Sequence, residues 1–302
     1  MTTSQSLRFA VIGSPVAHSK SPAMHMAAYR ALGMPHTYEK VETTEAELAD
    51  RVEALRRGDF AGLNVTVPHK SKVLRLVDDV HASARATGAA NTLVRTPDGR
   101  VRAHNTDMPA LAEELTRLAG ANSAQLRGGV GIVIGTGGAA RAAIVALASH
   151  LSLGRVLVRG RSLAETGHAV AYVRQIDKIL AAAGGRGVAV ALGADGLHAP
   201  DKEDARLVAI VQATSCGMKG AAPGDVAADA VRWEQVPQGA VALDVVYAPP
   251  RTPFLERAAA RGLAFDNGLG MLVKQGALAF ELWLGVAPPL ALMRGAIDDA
   301  VS

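Results

Sequence analysis

Gly135-Thr136-Gly137-Gly138-Ala139-Ala140 follows the apolar run at 130–134 and opens a helical pattern. This is G-x-G-x-x-A in the strand-to-helix context where it binds a dinucleotide. Gly135 permits the tight turn, Gly137 lets the backbone approach a pyrophosphate, and small Ala140 lets the helix lie close to the sheet. The exposed N–H groups and the helix dipole then hold the phosphates. The plain alternative is a turn with no ligand, in which these glycines would cost backbone entropy without benefit. The end of the following strand, Val158-Arg159-Gly160-Arg161-Ser162, decides which dinucleotide is expected. An NAD site places an acid about 20 residues on from the glycines. Here no carboxylate appears before Glu165, and the guanidinium groups of Arg159 and Arg161 suit a 2′-phosphate. NADP is therefore expected over NAD.

Three polar stretches lie nearer the N-terminus. Gly13-Ser14-Pro15-Val16-Ala17-His18-Ser19-Lys20-Ser21-Pro22 joins a strand to a helix, so the hydroxyls of Ser19 and Ser21 sit at a helix N-terminus and suit a carboxylate. Ser21 also reads as an N-cap ahead of Pro22 at the first helical position. Asn64-Val65-Thr66-Val67-Pro68-His69-Lys70 puts Asn64 and Thr66 on one strand face and a lysine in the turn beyond. His104-Asn105-Thr106-Asp107 ends another strand with a carboxylate. Lys70 and Asp107 together make a plausible acid/base pair for a hydroxyl substrate. Read separately, Lys70 is an ordinary solvated lysine and Asp107 a cap for the next helix.

The elements that would carry these residues alternate. Strands are expected at 7–13, 37–41 and 62–67, with helices at 22–32 and 44–56. Pro97-Asp98-Gly99 between strands at 91–95 and 100–103 predicts a hairpin, forming an antiparallel edge. A helix at 108–118 precedes a second series: strands at 130–134, 155–159, 187–191, 207–213 and 241–245, with helices at 139–150 and 163–182. That series is a doubly wound pattern. The segment 193–206 reads as a polar surface insertion, and helices at 269–284 and 289–298 are expected to return to the first domain.

The 302 residues suit two domains. Hydrophobic residues at 49%, charged residues at 20% and a mean hydropathy of +0.16 are ordinary globular values. No apolar window approaches the roughly 20 residues of a membrane span, and the N-terminus lacks a signal-peptide pattern, so a cytoplasmic protein is expected. One cysteine and no paired-ligand spacing among nine histidines predict no metal. The net charge of +4 comes from scattered arginines with 4% aromatics. It suits small anions rather than nucleic acid.

Taken together, these segments resemble the shikimate dehydrogenase family. The matching stretches are GSPVAHSKSP at 13–22, GLNVTVPHK at 62–70, GAANT at 88–92, NTD at 105–107, GTGGAAR at 135–141, ATSCGM at 213–218, DVVYAPPRTPFL at 244–255 and GLGMLVKQGALAFELWLG at 268–285. They run in family order along nearly the whole chain. The resemblance implies an α/β fold: a substrate domain at 1–107 completed by C-terminal helices at 268–302, with a Rossmann-type NADP domain at 108–267 inserted between, and the active site in the cleft. Carried over position by position, Lys70 and Asp107 are the catalytic pair. Ser19, Ser21, Thr66 and Tyr247 line the carboxylate region, Asn64 is a further substrate-binding residue, and Asn91, Asp107 and Gln275 bind ring hydroxyls. Gly135, Thr136, Gly137, Gly138 and Ala139 hold the pyrophosphate, Arg161 and Ser162 hold the adenosine phosphate, Val245 and Gly268 face the nicotinamide, and Thr214 is a further cofactor-binding residue.

The implied reaction is reversible reduction of 3-dehydroshikimate to shikimate with NADPH, in aromatic amino-acid biosynthesis, by an enzyme whose expected assembly is a homodimer. The chain departs from the family at Met108, where glycine is common, at Gly160-Arg161-Ser162 in place of Asn-Arg-Thr, and at Gln212 in place of Asn. Met108 beside Asp107 leaves a quinate or quinate/shikimate dehydrogenase as the alternative. A non-catalytic NADP-binding sensor would be expected to lack Lys70 or Asp107, and both are present.

Overall fold

The computed structural model describes residues 6–164, 166–182, 189–192 and 206–298. The chain divides into two compact units, Met1–Asp107 with Leu272–Ser302, and Met108–Met271.

The first unit runs β1 (Arg8–Gly13), α1 (Ser21–Ala31), β2 (Thr37–Glu42), α2 (Leu48–Arg57), β3 (Gly62–Val65), β4 (Asp79–Val80), α3 (Ala82–Thr87), β5 (Thr92–Arg95) and β6 (Val101–His104). These strands form one mixed sheet in the order β2-β1-β3-β5-β6-β4. β1, β2 and β3 are parallel, and β5 pairs antiparallel with both β3 and β6. The hairpin forms at Gly99, whose φ of +82° favours glycine. Its expected place at an edge is corrected: β4 pairs with β6 and takes that position. Two residues are too few to leave an alternating pattern in the sequence. Helix α2 starts four residues later than expected, after a turn at 45–47 across which the Glu47 carboxylate accepts from both the N–H and the hydroxyl of Thr44 at 2.8 Å.

The second unit contains α4 (Asp107–Ala119, its first residue belonging to the first unit), β7 (Val130–Ile134), α5 (Gly138–Val145), β8 (Arg155–Arg159), α6 (Thr166–Ala182), β9 (Ala189–Leu192), β10 (Leu207–Gln212), α7 (Asp225–Ala228), β11 (Val241–Asp244), α8 (Pro253–Ala260) and β12 (Ala264–Asp266). Its sheet is parallel throughout, in the order β12-β11-β10-β7-β8-β9. Numbered within the unit, that is the 3-2-1-4-5-6 order of dinucleotide-binding folds, with its switch point between β7 and β10. The three-residue β12 and helix α8 add to the expected elements. Thr252 caps α8 by accepting from Leu255 N–H at 3.4 Å with Pro253 at the first position, a start signal present in the sequence. The segment expected as an insertion, 193–206, lies outside the described residues except for Arg206, as does Glu165.

Two closing helices follow, α9 (Leu269–Leu284) and α10 (Leu290–Asp298), with the unit division falling inside α9. Within the first unit, Trp283 of α9 donates to Leu93 O at 3.0 Å and lies so close to Gly62 that a Cβ there would stand 2.2 Å from the indole. α10 packs along α1, with Met293 and Ile297 fully buried. Among the described residues no helix is long and apolar enough to cross a membrane.

His25 on α1 is wholly buried in this core, stacked on Tyr38 with ring centroids 4.4 Å apart, and among the described residues neither ring nitrogen has a hydrogen-bond partner. Burial pushes its pKa from 6.5 down to about 3. Below pH 6.5 the unfolded chain therefore takes up a proton that the folded chain refuses. The stability is intact above about pH 6.5 and is lost progressively as pH falls toward 3. At about 1.4 kcal/mol per pH unit, this one group costs roughly 2–3 kcal/mol between pH 6.5 and 4.5. Melts of His25→Phe at both pH values should show a smaller acid-induced drop in Tm than the wild type. An equal drop would remove His25 as the cause.

Candidate functional site

The first unit gathers its polar residues at the strand ends beside β3, β5 and β6. Gly13 closes β1 against Thr66 so tightly that a Cβ would meet the Thr66 methyl at 2.3 Å, which brings the Ser19 loop beside β3. Ser21 is the first residue of α1 rather than its cap, and the Ser19 hydroxyl accepts from the Ser21 N–H at 3.3 Å. β3 ends at Val65, so Thr66 leaves the strand while its N–H still bonds Ile12 O at 2.9 Å. The turn carrying Lys70 is anchored by His69, whose Nε2 lies 2.7 Å from Thr43 O, and by the bond from Ala90 N–H to Lys70 O at 2.7 Å.

Lys70 Nζ donates to Asp107 Oδ2 at 2.7 Å, with side-chain exposures of 17% and 5%. Asp107 begins α4, and its second oxygen accepts from Asn91 Nδ2 at 2.9 Å, so both oxygens serve the polar array instead of capping the helix. Asn91 Nδ2 also faces Thr106 Oγ1 at 2.9 Å and Gln275 Oε1 at 3.2 Å. An amide carries two protons, so these three acceptors share them and Gln275 at the longest distance is held least firmly. Asn91 Oδ1 accepts from Thr106 N–H at 2.8 Å, which fixes the amide's orientation. Asn64 is buried beneath: its Nδ2 donates to Asn91 O and Thr92 Oγ1, and its Oδ1 accepts from the Tyr38 hydroxyl at 2.7 Å. The first unit thus brings together Lys70, Asp107, Asn91, Gln275 and Asn64. Tyr38, His69 and Thr106 join them without having been singled out in the sequence. Tyr247 lies in the second unit, on the loop after β11.

In the second unit the glycine-rich turn follows β7 at the switch point. Gly135 has φ +122°, and a Cβ there would meet Ala213 O and the Thr214 methyl at 3.0 Å, so the position requires glycine. Gly137 differs: its φ of −78° suits any residue, and a Cβ would meet nothing within 4 Å. Among the described residues no atom explains that glycine, and the open N-terminus of α5 leaves room for a pyrophosphate to approach. Gly160 lies against Thr136, where a Cβ would come within 2.9 Å of its methyl, and the Thr136 and Ser162 hydroxyls are 3.4 Å apart. Arg161 is exposed and borders a depression of roughly 180 Å³ lined by Ile134, Gly160, Thr214 and Cys216. These residues fit a dinucleotide carrying a 2′-phosphate. Arg159, expected to share that phosphate, is corrected: it is 1% exposed and its guanidinium donates to Ala230 O inside the core. β8 is a central strand with Val156, Leu157, Val158 and Arg159 all buried, so a side chain on either face meets the core.

The loop after β11 has a buried anchor that sequence reading passed over. The Asp244 carboxylate accepts from Val246 N–H at 2.9 Å and from the Thr252 hydroxyl at 2.6 Å. Burial pushes its pKa up to about 7. Val245 and Gly268 touch, and a Cβ on Gly268 would stand 2.1 Å from Val245 O. A carboxylate ending a parallel strand just before a Pro-rich turn is the signal that could have found Asp244.

Residues 11–93 match the family model of the shikimate dehydrogenase substrate binding domain, and residues 268–297 that of the shikimate 5′-dehydrogenase C-terminal domain. The chain is 41% identical to a shikimate dehydrogenase (NADP+) of Methylobacterium radiotolerans, across 92% of this chain and 91% of that one. Its fold is similar to that of shikimate 5-dehydrogenase from Thermus thermophilus in complex with NADP(H) and shikimate, with TM-score 0.75 and 34% identity over 97% of this chain and 99% of that one. It is also similar to quinate dehydrogenase from Corynebacterium glutamicum in complex with NAD, with TM-score 0.80 and 31% identity over 97% and 99%. A polar array built on Lys70 and Asp107, a glycine turn at the switch point and likeness along almost the entire length have one common explanation: the chain belongs to the shikimate dehydrogenase family.

Proposed function

We propose that this protein catalyses the NADPH-dependent, reversible reduction of 3-dehydroshikimate to shikimate in the biosynthesis of aromatic amino acids, with Lys70 and Asp107 as the acid/base pair. The observation that carries the reading is the 2.7 Å ion pair between them, with Asp107 held from its other oxygen by Asn91. When bound, NADPH supplies the hydride equivalent for the ring ketone. Lys70 Nζ provides the proton that the developing alkoxide requires, and Asp107 keeps the ammonium oriented. In the oxidative direction the same nitrogen receives the hydroxyl proton. Asn91, Asp107 and Gln275 bind ring hydroxyls, and Ser19, Ser21, Thr66 and Tyr247 serve the carboxylate. Asn64 supports Asn91 from below. Gly135 to Ala139, with Thr214, hold the pyrophosphate, Arg161 and Ser162 the adenosine phosphate, and Val245 and Gly268 the nicotinamide side.

Initial rates with shikimate and quinate, each crossed with NADP and NAD, test the reading. Turnover of shikimate with NADP supports it. Preference for quinate with NAD would move the protein to the second reading, which the similarity to a quinate dehydrogenase favours and the exposed Arg161 opposes. Replacing Arg161 by alanine should raise KM for NADP about 10- to 100-fold, the equivalent of a lost charge-assisted hydrogen bond, and leave NAD kinetics nearly unchanged. Equal effects on both cofactors would place the 2′-phosphate elsewhere. Cell fractionation and light scattering test the cytoplasmic location and the homodimer that complete this reading.

A further inference from the structure

We infer that Arg117 is a positioning residue for the nicotinamide side of the cofactor site, acting through Asp266 and Glu114 on the segment that carries Gly268. The inference rests on the reading above, in which Gly268 and Val245 face the nicotinamide. Glu114 and Arg117 stand about one turn apart on α4, and β12 ends at Asp266. Arg117 Nε donates to Glu114 Oε2 at 2.9 Å, and one terminal nitrogen of the same guanidinium meets that oxygen at 2.8 Å. The same terminal nitrogen donates to Asp266 Oδ2. These residues and the segment 266–270 all belong to the second unit.

The bridge holds Gly268 from both sides. Before it, Asp266 Oδ1 accepts from Asn267 N–H at 2.8 Å. Asn267 in turn ties two places together: its Oδ1 accepts from Leu269 N–H at 3.0 Å, where α9 starts, and its Nδ2 donates to Pro250 O at 3.0 Å on the loop after β11. Beyond Gly268, the Glu114 carboxylate lies on Gly270, where a Cβ would stand 2.6 Å from Oε2 and 2.8 Å from Oε1. The Glu114 side chain is 2% exposed, so the carboxylate is packed in place and aims the guanidinium. A planar fork fixes direction as well as distance, which a lysine at this position would not do. The Arg117 and Asp266 side chains are 49% and 34% exposed, and an ion pair this open adds little to stability. Its consequence is geometric. The Gly268 N–H bonds Val246 O at 3.2 Å, so a shift of Asp266 passes to the backbone at Gly268 and to Val245 beside it. Arg117 itself takes no part in the chemical step.

The test uses the full chain with two variants. Arg117→Met keeps the apolar stem and removes the guanidinium, while Asp266→Asn removes one charge and leaves the Arg117–Glu114 pair. Rates with varied shikimate and NADP are measured together with the inhibition constant of adenosine 2′,5′-bisphosphate, a probe that carries the 2′-phosphate and lacks the nicotinamide. Arg117→Met should lower kcat/KM for NADP about five- to twentyfold and Asp266→Asn about three- to fivefold, both short of the loss from a misplacement of about 1 Å. KM for shikimate and the bisphosphate constant should stay within about twofold of wild type, since neither reads the nicotinamide side. An unchanged kcat/KM for NADP in either folded variant overturns the inference. So does a parallel rise in KM for shikimate or in the bisphosphate constant, which marks a merely structural role. Should Arg117→Met fail to fold, Asp266→Asn decides alone by the same measures. A wild-type protein that does not turn over shikimate with NADP sinks the functional reading and this inference with it; wild-type turnover with unaffected variants sinks the inference alone.

Discussion

Lys70→Ala should lower kcat for shikimate oxidation by about 10²- to 10⁴-fold, the usual contribution of a positioned acid/base group. Its effect on KM should be far smaller, because Asn91, Gln275 and the hydroxyls at the start of α1 remain. The variant leaves Asp107 with one partner, Asn91 Nδ2 at 2.9 Å, so some stability is lost as well. Circular dichroism and a thermal melt establish that the rate is measured on folded protein. Retention of more than a tenth of wild-type kcat would take Lys70 out of the chemical step.

Gly268→Ala should lower kcat/KM for NADP by about 100-fold, comparable to the effect of a 1 Å misplacement at a reacting centre. A Cβ at this position would lie 2.1 Å from Val245 O, 2.6 Å from its carbonyl carbon and 3.0 Å from its Cα. All three are backbone atoms, so no side chain can swing aside. The loop cannot easily slide away either, because Asp244 holds Val246 N–H and the Thr252 hydroxyl, and the N–H of Gly268 itself bonds Val246 O at 3.2 Å. The displaced segment carries Val245, which the proposed function puts on the nicotinamide side, and leads directly to Tyr247. Steady-state kinetics with varied NADP read the effect, and a melt reads the accompanying strain. Kinetics within twofold of wild type would show that Val245 and Gly268 lie away from the cofactor.

The β and α alternation of both units was legible in the sequence because it depends on local periodicity. Apolar runs at 8–13, 130–134 and 207–212 bury their strands, and 3–4 spacing marks α2 and α4. The glycine-rich turn was legible for a similar reason, since a tight turn and a helix start are written in adjacent residues. What stayed hidden was short or decided by neighbours from elsewhere in the chain. β4 has two residues and β12 three, too few to show a period. Arg159 and Arg161 look alike in a string of letters, yet one donates into the core at Ala230 and the other is exposed, because β8 ends at Arg159 and Arg161 lies in the turn of helix that follows.

The polar array divides the same way. Residue types alone nominated Lys70 and Asp107, and likeness to a family added Asn91 and Gln275 and implied the roles of all four. The tertiary structure decided their partners: Asn91 meets a glutamine 184 residues away, and Lys70 meets a carboxylate 37 residues away. It also decided that Tyr38 and Asp244, plain strand residues in the sequence, would each be the buried hinge of a hydrogen-bond network. Sequence determined which segments could become strands, helices and a phosphate turn, since those depend on φ/ψ preference and periodic burial within a few residues. Only the folded chain determined which donor met which acceptor, because a buried polar group must take whichever partner the distant strands and helices bring within about 3 Å.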